Sequence, residues 1–332
     1  MDLQQRIKLL SGLGDYIKKD GLAWQEAKQQ AYYENGWFTT EFSQHAASQI
    51  AHQFLNEKAL TEWAQHYNIR AQDTTKNIGI VMAGNIPLVG FHDFLCAFIC
   101  GHQQTIKPSA KDAILLKHLV QWMYSQNIET QNYVGFAPML KGCDAYIATG
   151  SNNAGRYFEQ YFSNYPNIIR KNRTSVAVLT GDETADELLL LADDIHMYFG
   201  LGCRNVTKIY VPEHYNFEQL LKSFDRYLFF ADHHKYKNNY DYQLSIMLLN
   251  NQYYMTNGAT LLAENDNFFS PISQLYYQFY ADASVLEQFL KQNDSIQCII
   301  GKQFLAFGEA QQPGLFNYAD GVDTMDFLTG LL

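Results

Sequence analysis

Residues 77–109 read NIGIVMAGNIPLVGFHDFLCAFICGHQQTIKPS, and the pattern of this stretch decides the fold. An apolar run of strand length, Ile78–Met82, is followed by a predicted helix from about Leu88 to Cys100 and by a second strand at Gln104–Lys107. Short strands separated by helices of this length are typical of βαβ units, whose strands run parallel in one sheet. The stretch therefore predicts a parallel sheet with helices packed against it.

The same alternation continues to about residue 154. It predicts a helix from about Ala110 to Tyr124, strands at Tyr133–Gly135 and Ala145–Thr149, and a further helix that starts near Ala154. We interpret this part as a Rossmann-like nucleotide-binding domain. The first 70 residues read as helical, with one apolar stripe along Glu41–Tyr67.

A second α/β portion follows. A strand at Ser175–Leu179 precedes an acidic-fronted helix at Thr184–Tyr198 and a strand at Val206–Val211. Helices are predicted near 217–227 and 240–250, and strands near 260–263, 274–280 and 296–300. The last 25 residues read as an irregular tail that is closed by a short helix.

Composition and charge exclude several classes of protein. The chain has 332 residues, 47% hydrophobic and 17% charged, which is a globular profile. The net charge of -10 argues against non-specific nucleic-acid binding. We expect no secretory signal and no membrane span, since the longest central apolar run, Phe94 to Cys100, is too short. Five irregularly spaced cysteines indicate free thiols in a reducing cytoplasm.

Three segments follow predicted strands and offer polar groups. In the first, Met82–Leu88, the Asn85 amide can donate to a developing oxyanion, although asparagine is also a common turn residue before a proline. In the second, Thr105–Ser109, Lys107 is expected beside a helix N-terminus, with Pro108 in its first turn. Lys107 there can hold a ribose or phosphate, or it can be a solvated lysine.

The third segment, Ala148–Arg156, leaves a strand through a small polar turn and enters a helix. Backbone N–H groups exposed in this turn, with Ser151 as the cap, are expected to form an anion site suited to a pyrophosphate. The same Ser-Asn-Asn sequence is also typical of an ordinary helix N-cap without a ligand. The remaining dinucleotide signal, Gly12-x-Gly14, lacks a third glycine and a preceding strand, and we interpret it as a loop between N-terminal helices.

Cys203 is the candidate nucleophile. It follows Gly200-Leu201-Gly202, where glycines allow a close approach of backbone to substrate, and Arg204 beside it favours a thiolate. The other four cysteines occupy apolar or strand settings, and we interpret Cys96 and Cys100 as core residues rather than metal ligands. The pair His233-His234 is predicted to be a solvated loop, and we predict no metal site.

The order and spacing of these segments resemble the aldehyde dehydrogenase superfamily. Asn85-Ile86-Pro87 is similar to its Asn-Phe-Pro oxyanion segment, Lys107-Pro108-Ser109 to its Lys-Pro-Ser nucleotide segment, and Thr149-Gly150-Ser151 to its Thr-Gly-Ser turn. Gly200-x-x-Cys203-x4-Lys208 is similar to its nucleophile loop. The likeness covers about Ile78 to the C-terminus. Within the superfamily, residues 202–206 and 318–324 resemble bacterial acyl-CoA reductases of the luminescence type, which make long-chain aldehydes.

Two departures from the family pattern bear on the reaction. Hydrolytic members carry a glutamate base in a position that aligns near Arg170, where a replacement by glutamate is expected to raise hydrolysis. A second family glutamate, which holds the nicotinamide ribose, corresponds to Asn267 ahead of Phe269-Ser270-Pro271. The resemblance therefore implies an enzyme that passes its acyl group to or from a thiol rather than to water.

The resemblance implies an aldehyde dehydrogenase-like α/β fold in three parts. Residues 1–172 form N-terminal helices and a Rossmann-like NAD(P)-binding domain, 173–305 a catalytic domain with Cys203, and 306–332 a tail that returns to the core or a subunit interface. It further implies catalysis by Cys203 and Asn85, and NADPH or NADH bound by Lys107, Ser109, Gly150 and Ser151.

The expected reaction is reduction of an acyl-CoA or acyl-carrier thioester to the aldehyde, in a cytoplasmic protein that can form homo-oligomers. An acyl-phosphate reductase of the same superfamily and a non-catalytic acyl-binding scaffold stay open as alternatives.

Overall fold

Two α/β units make up the chain in the computed structural model, which describes residues 1–69 and 75–331. The first unit is Met1–Asn172 with Pro313–Leu332, and the second is Arg173–Gln312. The tail that belongs to the first unit therefore begins at Pro313, and residues 306–312 belong to the second unit. In the described part of the chain, no helix has both the length and the apolar character needed to cross a bilayer.

Four helices open the first unit. They are α1 (Leu3–Lys19), α2 (Leu22–Glu34), α3 (Thr40–Gln53) and α4 (Glu57–His66). The single stripe predicted over Glu41–Tyr67 is thus two helices, because Asn56 caps α4 by accepting from the Ala59 N–H. Predicting a loop at Gly12-x-Gly14 was wrong, since both glycines lie inside α1. A Cβ on Gly14 would come within 2.9 Å of Leu55, so this glycine serves close helix packing. Arg70, the last residue of the predicted helical region, lies outside the described residues.

The predicted parallel sheet is confirmed and has the strand order β3-β2-β1-β4-β5. All four of its strand pairs are parallel, so the strands end at one edge. Its strands are β1 (Asn77–Val81), β2 (Gln103–Lys107), β3 (Val134–Phe136), β4 (Ala145–Thr149) and β5 (Asn167–Arg170), joined by α5 (Phe91–Cys100), α6 (Ile114–Gln126) and α7 (Asn152–Phe162). Every residue of α5 except His92 is buried, which is why its sequence is apolar on all sides. β5 was not predicted.

A six-stranded sheet of order β11-β6-β7-β10-β9-β8 forms the second unit. It is parallel except for the pair β8–β9. Its elements are β6 (Thr174–Val178), α8 (Ala185–His196), β7 (Val206–Pro212), α9 (Glu218–Ser223), α10 (His234–Leu249), β8 (Met255–Thr256), β9 (Leu261–Glu264), β10 (Gln274–Tyr280), α11 (Ala283–Lys291) and β11 (Ile296–Ile300). A capping box between Thr184 and Glu187 sets the start of α8. The helix α11 was not predicted.

The tail of the first unit closes with the short predicted helix, α12 (Thr324–Thr329). Its approach is held by side chains of α4 and of the residue that follows it: the buried Trp63 Nε1 donates to Tyr318 Oη at 3.0 Å, and the half-buried Tyr67 Oη donates to Asp323 at 2.6 Å. These bonds explain why a glycine- and proline-containing tail has a defined course.

Candidate active site

Cys203 lies in a tight turn directly before β7. The Asn205 N–H donates to the Gly202 carbonyl at 3.1 Å, which closes the turn, and the Gly202 N–H donates to Asn205 Oδ1 at 2.8 Å. Cys203 is partly exposed, whereas Cys96, Cys100 and Cys143 are buried. A cysteine that a reagent can reach, on a turn with little side-chain bulk before it, has the setting that a nucleophile requires.

The Asn205 side chain ties this turn to the end of α8. Asn205 is fully buried, and its Nδ2 donates to the carbonyls of Asp194 at 3.0 Å and Met197 at 2.9 Å, with Ile195 at 3.3 Å. Helix ends leave carbonyls without intrahelical partners, so one amide satisfies several of them at once. Asn205 was not predicted as a functional residue. Its only signal in the sequence was its place in the stretch 202–206.

The chain reaches the Cys203 turn through a left-handed segment. Tyr198, Phe199 and Gly200 have φ values of 54°, 58° and 72°. Such values are costly for residues with side chains, and they persist only where packing imposes them. Phe199 packs on Phe230 with ring centroids 4.5 Å apart, and both are buried. The helix predicted through Tyr198 therefore ends at His196, and the strained segment redirects the chain toward Cys203.

Ser175 of β6 links the Cys203 turn to a second cysteine. Its hydroxyl donates to the Cys203 carbonyl at 3.1 Å and lies 3.0 Å from Cys298 Sγ. Because that proton is used on the carbonyl, the Cys298 thiol is the donor to Ser175. Burial raises the pKa of Cys298, which keeps it a thiol. Cys298 is partly exposed, and it is the natural control for Cys203.

Two charged or titratable neighbours of the turn have structural partners. Arg204 Nε donates to the Ala310 carbonyl at 2.5 Å. His196 is buried, with Nδ1 2.8 Å from the Ala192 carbonyl and Nε2 2.8 Å from Thr260 Oγ1, and burial lowers its pKa to about 4. With both ring nitrogens engaged, His196 is not a free general base.

In the first unit, Asn85 lies at the carboxyl edge of the parallel sheet. It is exposed in the bend that follows β1. Gly84 beside it packs so closely on the β2 loop that a Cβ would fall 2.5 Å from Ser109 Oγ. The Leu88 N–H, in a residue with φ 58°, donates to Asp112 at 2.8 Å. The loops after β1 and β2 are therefore interlocked, and Asn85 and Ser109 lie on adjoining loops.

Lys107 is the last residue of β2 and is exposed at this same edge. Placing it beside a helix start was wrong, because α6 begins only at Ile114 and Pro108 lies in the loop between them. Two hydrogen bonds hold this loop: Ser109 Oγ accepts from the Lys111 N–H at 3.2 Å, and the Asp112 carboxylate accepts from the Leu88 N–H. Lys107 and Ser109 remain available to a ligand at the edge.

Gly150 and Ser151 form the helix-start turn that was expected. Ser151 Oγ accepts from the Ala154 N–H at 3.3 Å as the cap of α7. A Cβ on Gly150 would meet Phe158 at 2.9 Å and Ala154 at 3.0 Å, so only glycine fits there. β4 lies beside β1, whose other neighbour is β2, so this turn shares an edge with Lys107 and Asn85. The Gly150 N–H, expected to face an anion, is instead used within the sheet, since it donates to the Arg170 carbonyl at 3.3 Å. The first turn of α7 at Ser151 and the Lys107 ammonium lie at one sheet edge, an arrangement that suits a dinucleotide phosphate.

Arg170, at the end of β5, is not a place where water can be activated. It is buried, pairs with Asp93 of α5, and donates to Thr324 Oγ1 at 2.7 Å. A glutamate there would face Asp93 as a second buried carboxylate and lose its counter-ion. The expectation that such a variant gains hydrolysis is therefore withdrawn, and unfolding is the expected result.

Two weaker candidates are structural. Cys96 and Cys100 belong to the core of the first unit, where burial raises the pKa of both thiols. Predicting a solvated loop at His233-His234 was wrong: the His233 side chain accepts from the Tyr236 N–H and caps α10, with its ring 4.5 Å from that of Phe199. Across residues 1–69 and 75–331, we find no cluster of three histidine, cysteine or acidic side chains able to bind a metal ion.

Comparison with known proteins shows the fold. No protein-family model and no curated protein matches the sequence. Among solved structures, aldehyde dehydrogenase 21 from Physcomitrella patens in complex with succinate has a TM-score of 0.67 at 12% identity, over 91% of this chain and 74% of that one. An NADP-dependent enzyme from E. coli has a TM-score of 0.67 at 9% sequence identity, over 90% of this chain and 73% of that one. The gamma-glutamyl-gamma-aminobutyraldehyde dehydrogenase of Burkholderia cenocepacia J2315 has a TM-score of 0.65 at 13% sequence identity, over 90% of this chain and 71% of that one. The predicted aldehyde dehydrogenase-like fold is therefore confirmed.

Proposed function

We propose that this protein is an NAD(P)H-dependent acyl-CoA reductase that carries the acyl group on Cys203. One observation carries the proposal: a partly exposed cysteine on a turn that Asn205 and Ser175 hold by side-chain hydrogen bonds. Positioning of this kind is what covalent catalysis needs from the protein. The fold shared with NADP-dependent and aldehyde-acting enzymes supports a redox reaction at the level of an aldehyde.

The first step is transfer of the acyl group. The Cys203 thiolate attacks the thioester carbon, the bond to the CoA sulfur breaks, and CoA leaves as a thiolate. The Cys203 N–H and the Asn85 side chain are the proposed donors to the oxyanion that forms. At the end of β5 the Asp93 carboxylate is buried and paired with Arg170, so it is not free to activate water.

Lys107, Ser109, Gly150 and Ser151 are the residues that would hold the nicotinamide cofactor. When bound, the cofactor supplies a hydride, which brings the acyl group to the aldehyde level. Cys203 then leaves as a thiolate and is regenerated. The exposed ammonium of Lys107 favours the extra phosphate of NADPH, so we expect a higher kcat/KM with NADPH than with NADH. Thiolate chemistry of this kind suits the reducing cytoplasm.

The decisive experiment is a mass spectrum of the protein after incubation with an acyl-CoA and no cofactor. We expect one added acyl group in the wild type, none in Cys203→Ala, and one in the matched control Cys298→Ala. Absence of the adduct from the wild type would refute acyl transfer and leave a binding scaffold. An adduct from acyl phosphate but not from acyl-CoA would assign the alternative reductase.

A second measurement separates reduction from hydrolysis. With NADPH present we expect aldehyde, and without cofactor we expect free acid to appear far more slowly than that aldehyde. Release of free acid as fast as aldehyde forms would show that a base activates water. The protein would then be assigned as a hydrolytic enzyme rather than a reductase.

A further inference from the structure

Cys298 lies at a shift of register in the sheet of the second unit. Between Ile296 and Ile299, β11 advances by three residues while its neighbour β6 advances by two, so that two residues of β11 face Ser175. A bulge of this kind interrupts the ladder and redirects a side chain. Here it brings Cys298 onto the serine: the Cys298 N–H donates to Ser175 Oγ at 3.3 Å, and Cys298 Sγ lies 3.0 Å from the same oxygen.

Ser175 also contacts the Cys203 turn on its other side. The register with β7 shifts here as well, because Val206 faces Ser175 while Lys208 faces the next residue of β6. The Ser175 hydroxyl donates to the Cys203 carbonyl at 3.1 Å. Since one oxygen contacts both groups, the Cys203 carbonyl and Cys298 Sγ are separated by no more than these two hydrogen-bond lengths. Two bulges therefore bring together, at one serine, two cysteines that lie far apart in the sequence.

The two thiols differ in how readily an oxidant can attack them. Both cysteines are partly exposed and neither is in a disulfide, whereas the other three cysteines are buried. Burial raises the pKa of Cys298, and the Arg204 guanidinium opposes this rise only in part. A thiolate is the form that peroxides oxidise, so Cys298 is not the sulfur that reacts first. The first oxidation is therefore expected at Cys203, with Cys298 as a thiol close behind it.

We propose that Cys298 is a resolving thiol for Cys203, so that a peroxide converts the pair to a reversible disulfide. The peroxide oxidises the Cys203 thiolate to a sulfenic acid, and its O–O bond is reduced to water. The Cys298 sulfur then attacks the sulfenic sulfur: the S–S bond forms, the S–O bond breaks, and the hydroxyl group leaves with the Cys298 proton as water. A dithiol reductant restores both thiols by exchange.

This disulfide goes beyond the proposed function, because it requires only that Cys203 reacts with an oxidant. It requires the Cys203 side chain to turn toward Ser175, with the two Cα atoms about 4.4–6.8 Å apart. Its consequence for acyl transfer rests on the proposed function. A disulfide blocks the nucleophile, and it also protects Cys203 from oxidation to a sulfinic acid, which thiols do not reverse.

Peptide mapping under non-reducing conditions tests the cross-link without any acyl substrate. After treatment with hydrogen peroxide, we expect a Cys203–Cys298 disulfide in the wild type, and dithiothreitol should remove it. The matched control is Cys143→Ala, which removes a buried cysteine and should form the same disulfide. Oxidation of Cys203 without this disulfide, a disulfide of Cys203 with another cysteine, or no oxidation of Cys203 overturns the proposal.

Acylation then tests the protective role. We expect oxidised wild type to accept at least about tenfold less acyl group from acyl-CoA and to recover after dithiothreitol. Cys298→Ala, and Cys298→Ser with its hydroxyl near Ser175, should be acylated like the wild type before oxidation and should not recover afterwards. Equal recovery of wild type and both variants overturns the proposal. A wild type that forms the disulfide but never accepts an acyl group refutes the proposed function and leaves the disulfide established.

Discussion

At the scale of single residues, the geometry around Cys203 depends on amides and hydroxyls rather than on charges. The Asn205 side chain accepts from the Gly202 N–H through Oδ1 and donates to the Met197 carbonyl through Nδ2. The Ser175 hydroxyl donates to the Cys203 carbonyl. Removing one partner of a buried bond leaves the other unsatisfied, which costs about 1–3 kcal/mol. The turn is therefore specified by a few residues whose loss is not compensated elsewhere.

Asn85→Ala tests the other proposed donor at this scale. We expect kcat to fall roughly 10²–10³-fold, the usual loss for one oxyanion donor, with little change in stability. Steady-state kinetics give the number. Asn56→Ala is the control, because it removes a helix cap on α4 and should cost about 1 kcal/mol of stability without lowering kcat. A loss smaller than threefold in Asn85→Ala would make Asn85 a turn residue.

At the scale of elements, the end of α8 shows how one helix terminus directs the chain. Three successive residues, Tyr198 to Gly200, adopt left-handed conformations between the helix and the Cys203 turn. For tyrosine and phenylalanine this costs about 1–2 kcal/mol each. The surrounding aromatic core supplies the compensation, since Phe199 and its partner Phe230 are both buried.

Gly200→Ala should expose this strain. At φ 72° an alanine is disfavoured, and its Cβ would lie 3.3 Å from the Ile195 carbonyl oxygen. We expect the free energy of unfolding to fall by about 1–2 kcal/mol in urea titrations, and acylation of Cys203 to slow. Gly135→Ala, where a Cβ meets no atom within 4 Å, should change stability by less than about 0.5 kcal/mol. Equal stability of Gly200→Ala and wild type would show that the left-handed segment is unstrained.

At the scale of the whole molecule, buried aspartates and buried histidines make the stability of the fold depend on pH in opposite directions. Burial raises the pKa of Asp112 and of Asp194 to about 7, and lowers the pKa of His92 and of His196 to about 4. The folded protein holds the aspartate protons between about pH 4 and 7, where an unfolded chain has released them, so that contribution to stability decreases as pH rises to 7. The neutral histidines contribute stability above about pH 6.5 that is lost as pH falls to 4.

Asp112→Asn isolates one side of this balance. Asparagine keeps an oxygen for the Leu88 N–H but cannot ionise. We expect the stability of the variant relative to wild type to increase as pH rises from about 4 to 7 and to stay constant above 7. Urea titrations over pH 4–8 measure this difference in stability. The control is Asp144→Asn, which removes the charge of an exposed aspartate that also accepts a backbone N–H, from Asn77 at 2.7 Å. A difference that does not change with pH in Asp112→Asn would contradict the linkage.

Local pattern was sufficient for many elements of this fold. The strands Ala145–Thr149, Gln274–Tyr280 and Ile296–Ile300 have the bounds that the sequence predicts, because an apolar run between polar turns is a local signal. The parallel pairing of β1 with β2, of β2 with β3 and of β4 with β5 follows from the helix between the two strands of each pair. Two boundaries were not predicted. The loop 54–56 interrupts a continuous helical pattern because Asn56 caps α4, and α6 begins only at Ile114 because the preceding residues form the loop that interlocks with the one after β1.

The sequence by itself determined an α/β chain with parallel strands and a glycine-flanked cysteine directly before a strand, because strand length, helix length and glycine placement act over a few residues. Only the tertiary structure decided what supports that turn. Ser175 reaches the Cys203 carbonyl 28 positions along the chain, and Arg170 pairs with Asp93 77 positions away. Such partners have no local signature, since a serine in a strand or an arginine at its end looks the same whether it is solvated or buried. Their roles arise when strand order and packing place distant residues side by side.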